Sequence, residues 1–223
     1  MSTKLFTLPK SILLKQTIYF YILLFLFQFI HVSVYNNLNI SNQLLSNLIE
    51  SFFRLIFVCL MVFLSNSRPF SWALEECLKR KLHSPSIKKT FYIIIFAYLI
   101  LFALIEALIV KKYIIGSYLP APVFSYIIRY LSGAILEEVF FKAFVFRVLK
   151  TKTSFSLAII GVMTAVLFSL LHTQYYNSPL SLFEIFLWQF FSIVLFNYYP
   201  SLFGMVIVHF SRNFFMYIVK SFV

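Results

Sequence analysis

Hydrophobic residues dominate this chain in runs of about 20 residues, which short polar or basic stretches separate. A helix needs roughly 20 apolar residues to cross the ~30 Å hydrocarbon core of a bilayer. The pattern therefore predicts about seven membrane-spanning helices, within a range of six to eight. We expect them at roughly 17–35, 44–64, 91–110, 123–148, 155–173, 181–199 and 201–220.

Two segments between these runs are expected to lie at the membrane surface. Segment 113–122 carries two prolines, which break a helix, so it is expected to be a re-entrant or interfacial piece. Segment 71–82 is predicted to form an amphipathic helix on the inner surface. Its adjacent acids, Glu75 and Glu76, lie among basic residues and are expected to form a solvated, ion-paired face.

The composition agrees with a membrane protein. Of the 223 residues, 61% are hydrophobic and only 12% are charged, far from the average of soluble proteins. No long polar stretch could serve as a linker, so a single integral membrane domain over 1–223 is predicted. The predicted fold class is an all-α, polytopic transmembrane helix bundle.

The excess of basic residues predicts the orientation of the chain. The formal net charge is +12, and most Lys and Arg lie at the ends of the hydrophobic runs, which favours contact with the lipid bilayer over nucleic-acid binding. Basic loops at 65–90 and 147–153 are expected in the cytoplasm, whereas 36–43 and 173–180 carry no charge and are expected outside. The N-terminus is predicted to be cytoplasmic, and the first hydrophobic run is interpreted as a retained helix.

Several kinds of site are excluded by residue type. The two cysteines, Cys59 and Cys77, lie in different environments and indicate neither a disulfide nor a metal site. All seven acidic residues are glutamates, so no aspartate is present for an aspartyl dyad or a Ser-His-Asp triad. The sequence also lacks the His-Glu-x-x-His motif of zinc peptidases.

Two adjacent glutamates, Glu137 and Glu138, interrupt an apolar and aromatic run. A charged side chain at the centre of a bilayer helix costs about 2.5 to 3.5 kcal/mol on insertion scales, so such residues usually have partners or a function. Adjacent residues point about 100° apart on an α-helix, which predicts different partners for the two. Glu138 lies four residues before Lys142 and is expected to pair with it, whereas Glu137 needs a partner from another helix.

Two later spans supply polar side chains that could meet Glu137. His172 follows Phe168 by four residues, and His209 precedes Asn213 by four. Helix rise places the three groups at overlapping depths, so one mid-membrane cavity is predicted. A carboxylate with a histidine can deprotonate a water, and a histidine with an asparagine can donate hydrogen bonds to an oxyanion. Interhelical hydrogen bonding without catalysis would use the same residues.

Three motifs on successive spans together resemble one family. They are Glu137-Glu138-Val-Phe-Phe-Lys142, Phe168-Ser-Leu-Leu-His172 and His209-Phe-Ser-Arg-Asn213. This arrangement resembles the CPBP intramembrane glutamic endopeptidases, also called the CAAX protease and bacteriocin-processing (Abi) family, which includes the Ras-converting enzymes. The resemblance covers a motif-bearing core at about 120–220.

The resemblance implies a metal-independent endopeptidase without a cofactor, acting on a peptide or protein near a membrane, in a bacterial setting. Glu137 and His172 would activate water, and His209 and Asn213 would form the oxyanion site. Glu138 would support the site as a further catalytic residue, with Lys142 and Phe168 in supporting positions.

The sequence departs from the family pattern at Lys142, where an arginine is usual, and at Ala143, where a glycine is common. Lysine keeps the charge but lacks the planar fork of the guanidinium. One alternative is therefore a non-catalytic membrane scaffold or bacteriocin self-immunity protein of the same fold. Another is a zinc site, with a ligand set made up of Glu137, His172 and His209.

A transporter is a further alternative, because Glu106 and Glu184 also lie within hydrophobic runs. Transporters use such carboxylates in proton relays. Neither residue has a second polar residue nearby in the sequence beyond Gln189, which follows Glu184 on the same span. This hypothesis is therefore the less favoured one.

Overall fold

The computed structural model describes residues 10–38, 43–65, 69–81 and 122–222, together with the single positions 93, 97 and 101. Within these residues the chain is helical apart from short connections and contains no strand. The predicted all-α fold class is confirmed.

The elements follow one another in a simple order. They are α1 (Lys10–Leu38), α2 (Gln43–Phe63), α3 (Pro69–Lys81), α4 (Val123–Glu138), a π-helical segment (Val139–Phe146), α5 (Arg147–Lys152), α6 (Leu157–Leu171), a 3₁₀ turn (Thr173–Tyr175), α7 (Pro179–Tyr198) and α8 (Leu202–Phe222).

The helices have an apolar exterior and a partly polar interior. Phe52, Phe63 and Phe203 are exposed, whereas Lys142 and Glu138 are buried. Helices α2 and α7 are each long and apolar enough to cross a bilayer, and shorter apolar stretches lie in α1, α6 and α8. In lipid, a helix satisfies its own backbone hydrogen bonds and can expose apolar side chains without cost. The distribution is that of a helical membrane bundle.

Most helix bounds match the predicted spans. Helices α2, α6, α7 and α8 begin and end within two residues of prediction. Helix α1 begins earlier, at Lys10 rather than 17, because a helix can continue beyond its apolar run into the interface, where lysines are solvated. The predicted span 91–110 lies outside the described residues except at positions 93, 97 and 101, and segment 113–122 except at Pro122.

The prediction of one continuous α-helix over 123–148 is wrong. Helix α4 ends at Glu138, and the next eight residues form the π-helical segment before α5 continues to Lys152. All eight π-helical residues are buried among aromatic rings; for example, Phe144 meets Phe20 of α1, with 5.6 Å between ring centroids. A run that is apolar apart from Lys142 carries no periodicity that distinguishes the two kinds of helix. Such π-helical turns occur frequently at functional sites.

A buried ion-pair network fixes α4 against α2. Glu50 of α2 pairs with Arg54 on its own helix and, at 2.8 Å, with Nε of Arg129 on α4. Arg54 also donates to the backbone carbonyl of Arg129, with a distance of 3.0 Å. Polar contacts of this kind hold helices together where lipid supplies no hydrophobic drive.

Helix α3 packs where α5 begins. The ring of Trp72 lies 5.0 Å from the guanidinium of Arg147 and 6.2 Å from the ring of Phe196. The charges of Glu75 and Glu76 act on Arg147. The predicted helix is confirmed, and its two acidic residues lie within electrostatic range of Arg147 on α5.

Candidate active site

The site contains a fully buried ion pair between Lys142 and Glu138. Nζ of Lys142 lies 3.1 Å from Oε2 of Glu138, and both side chains are at most 1% exposed. The predicted pairing of these residues is confirmed. The same ammonium donates to Oε1 of Gln189 on α7, at 3.3 Å. Glu138 is therefore held in place from its own helix, and its cation is held from a second helix.

His209 of α8 lies between the two adjacent glutamates. Its Nδ1 is 2.8 Å from Oε1 of Glu138, and its Nε2 is 3.6 Å from Oε2 of Glu137. Glu137 thus meets a residue of another helix, as predicted, but the two carboxylates share His209 as a partner. The two imidazole nitrogens lie on different edges of the ring, so carboxylates that diverge from one helix can meet a single ring.

The contact with Glu138 determines how His209 is oriented. An ionised carboxylate can only accept, so Nδ1 of His209 donates its N–H to Glu138. Carboxylates fix the tautomer and orientation of histidines in this manner in catalytic and metal sites. Because Lys142 holds Glu138, the position of the ring depends on the buried ion pair.

His172 lies immediately after the last residue of α6. Its Nδ1 is 2.9 Å from the backbone carbonyl of Phe168, which can only accept, so Nδ1 carries a proton. In the neutral ring, Nε2 is then the free base. The Phe168 ring lies 4.4 Å from that of His172 and 6.4 Å from that of His209. The charge of Glu137 acts on His172.

Solvent exposure distinguishes the two glutamates. The Glu137 side chain is 18% exposed, whereas that of Glu138 is 1% exposed. Oε2 of Glu137 is itself buried and has no hydrogen-bond donor among the described residues, so the exposed part of this side chain lies elsewhere on it. Glu137 is therefore the more accessible of the two side chains, and Glu138 is closed off inside the bundle.

Arg212 joins α8 to α7 beside this site. Its Nη2 lies 2.5 Å from Oε1 of Glu184, and its Nη1 donates to Oδ1 of Asn213 at 3.0 Å. The guanidinium lies 4.7 Å from the ring of Trp188, which in turn lies 5.3 Å from the ring of His209.

Sequence reasoning missed this contact. Gln189 is the polar neighbour of Glu184 along its own span, but in the structure Glu184 pairs with Arg212 of α8. Two features of the sequence could have predicted this pair. Arg212 is a cation inside the His-x-x-x-Asn motif, and Glu184 is an acid on the preceding hydrophobic span. Glu106, the other candidate relay carboxylate, lies outside the described residues.

The geometry does not support the zinc alternative. In the part of the chain that the structure describes, which includes Glu137, His172 and His209, no three His, Cys, Asp or Glu side chains are grouped as metal ligands. His209 already directs its two nitrogens toward the two glutamates.

The fold and site define a helical membrane protein whose interior carries a glutamate and histidine cluster. Residues 119–215, which contain all three motifs, match the family model described as type II CAAX prenyl endopeptidase Rce1-like. The resemblance of this region to the CPBP and CAAX protease family is therefore confirmed. No curated protein and no solved structure matches the chain.

Proposed function

We propose that this protein is a membrane-embedded endopeptidase that hydrolyses a peptide bond in a membrane-proximal peptide, with Glu137 as the reacting carboxylate. The family match supports a CAAX-type membrane endopeptidase. One observation carries the choice of residue: Glu137 is partly exposed and lies 3.6 Å from Nε2 of His209, whereas Glu138 is buried against Lys142.

In the proposed reaction, Glu137 and His172 together remove a proton from a water. The hydroxide oxygen bonds to the carbonyl carbon of the peptide, and the C=O electron pair becomes an oxyanion. His209, through an N–H at Nε2, and Asn213 donate hydrogen bonds to that oxygen. When the C–N bond breaks, the proton passes to the departing amine, which leaves a carboxyl product and an amine product.

Glu138 acts indirectly in this scheme. Its hydrogen bond to Nδ1 of His209 orients the ring, so that Nε2 faces the region beside Glu137. Lys142 replaces the arginine of the family pattern, and its ammonium contacts Glu138 and Gln189. This arrangement favours an active enzyme over the non-catalytic scaffold.

The test is cleavage of a panel of membrane-proximal peptides, with and without a prenylated cysteine, by purified protein in liposomes. We expect Glu137→Gln to lower kcat by about 10²- to 10⁴-fold, the usual range for loss of a general base. Glu50→Gln is the matched control, because Glu50 is a buried carboxylate at the α2–α4 interface. Equal rates for wild type and Glu137→Gln would contradict the proposal.

Other outcomes separate the remaining hypotheses. If wild-type protein binds peptides from the panel but cleaves none, the non-catalytic scaffold or self-immunity protein is favoured. Activity that a chelator abolishes and zinc restores would favour the metal hypothesis. A proton-dependent flux that Glu106→Gln abolishes would favour transport.

We also propose that the protein lies in a bacterial cytoplasmic membrane with its N-terminus in the cytoplasm. The basic loops at 65–90 and 147–153 support this orientation. A reporter fused to the N-terminus should be protected from protease added outside intact cells, and cleavage of that reporter would reverse the assignment.

A further inference from the structure

Arg212 donates a hydrogen bond to the side-chain oxygen of Asn213. Its Nη1 lies 3.0 Å from Oδ1 of Asn213. A guanidinium has five N–H donors and no acceptor, so the asparagine atom that faces it must be the oxygen. The Nδ2 group of Asn213, with its two N–H donors, therefore points away from Arg212.

We propose that Arg212 is a positioning residue that presents Asn213 as a hydrogen-bond donor, and that Glu184 and Trp188 fix Arg212 for this purpose. The inference rests on the proposed function, in which Asn213 donates to an oxyanion. An amide with the opposite orientation would turn its oxygen toward that oxyanion and repel it. The role of Asn213 thus depends on which way its amide is turned.

Helix α7 fixes the guanidinium on two sides. Glu184 accepts from Nη2 at 2.5 Å, and the side chains of Arg212 and Glu184 are only 12% and 6% exposed. Trp188 follows Glu184 by one helical turn, and its ring lies 4.7 Å from the guanidinium. A planar cation held by a carboxylate and an aromatic face has little rotational freedom.

The same contacts connect Arg212 to the rest of the site. The Trp188 ring that packs on the guanidinium lies 5.3 Å from the ring of His209. The charge of Arg212 also acts on His172. The guanidinium therefore lies beside the site. A change in its position acts mainly on the proposed oxyanion donors, His209 and Asn213, and less on distant parts of the bundle.

The main experiment is a double-mutant cycle on peptide cleavage. Arg212→Met keeps an unbranched apolar stem and removes every donor. We expect kcat to fall about 10- to 100-fold with KM within about threefold, because an oxyanion donor acts in the transition state. In the Asn213→Ala background, Arg212→Met should cause no further loss of kcat. A loss of the same size in both backgrounds would overturn the proposal.

Arg129→Met provides the control for removal of an arginine that pairs with a buried carboxylate away from the site. Arg129 pairs with Glu50 at 2.8 Å and lies eight residues before Glu137 on α4. It should lower the melting temperature and leave kcat of the folded fraction unchanged. If Arg129→Met and Arg212→Met lower kcat equally, the effect is a general one on the bundle and the positioning role is wrong.

A second measurement does not depend on turnover. The side-chain amide of Asn213 gives an NMR signal in ¹⁵N-labelled protein, which its loss in Asn213→Ala identifies. Arg212→Met should shift this signal, because the oxygen loses a cationic donor, and Arg212→Lys should restore it in part. An unchanged signal in Arg212→Met would overturn the pairing. This result is independent of Glu137, so its failure is distinguishable from failure of the proposed function.

Discussion

Replacement of Lys142 by methionine tests how much the buried ion pair stabilises the bundle. Methionine has a similar length and no charge, so packing is nearly retained while Glu138 loses its cation. The Lys142 side chain is fully buried and Glu138 is 1% exposed, with 3.1 Å between Nζ and Oε2. Removal of one partner from a buried pair costs about 3 to 5 kcal/mol, because it leaves an uncompensated charge in a low-dielectric interior.

The lower end of this range applies here. Glu138 retains its 2.8 Å contact with Nδ1 of His209, which compensates part of the lost interaction. A loss of about 3 kcal/mol corresponds to a melting temperature about 6 to 12 °C lower, at roughly 2 to 4 °C per kcal/mol for chains of this size. Thermal unfolding in detergent, followed by fluorescence of Trp72 and Trp188, measures this shift.

Two further variants make the reasoning refutable. Lys142→Met combined with Glu138→Gln removes both charges and keeps an acceptor for His209, so it should recover at least half of the lost stability. Lys150→Met removes a lysine that lies over the ring of Phe146 near the helix end, and its effect should be about 1 kcal/mol or less. A Lys142→Met shift no larger than that of Lys150→Met, or a double variant no better than the single one, would refute the argument.

Three other predictions concern separate parts of the molecule. Gly161→Ala should destabilise by about 1 to 3 kcal/mol in thermal unfolding, because its Cβ would lie 2.9 Å from ring atoms of Phe190 across the α6–α7 interface; unchanged stability would mean that the ring moves freely. His172→Ala should lower kcat by about 10²- to 10⁴-fold at unchanged stability, and retained kcat would remove it from the mechanism. Glu50→Gln should cost about 3 kcal/mol, because it leaves Arg129 without its carboxylate, and a melting temperature equal to that of wild type would contradict this.

The positions of the spans could be predicted from the sequence to within a few residues. A helix that crosses lipid must be long and apolar, so the length of an apolar run in the sequence gives the length of the span directly. The pairing of Glu138 with Lys142 was also predictable, because residues four apart on one helix are neighbours whatever the rest of the fold does. The motif residues could be named for a similar reason, since each motif is a short stretch of five or six consecutive residues.

Only the tertiary structure decided which groups on different helices meet. Both glutamates contact His209, which lies 71 residues after Glu138 in the chain. Arg212 pairs with Glu184, which lies 28 residues before it. The π-helical segment was equally invisible, because eight consecutive buried residues show no periodicity. Local spacing determines neighbours along one helix, whereas contacts between helices depend on how several helices rotate and pack together. For this chain, the sequence determined the helices and the chemistry that they carry, and packing decided that Glu137 is the exposed carboxylate and Glu138 the buried one.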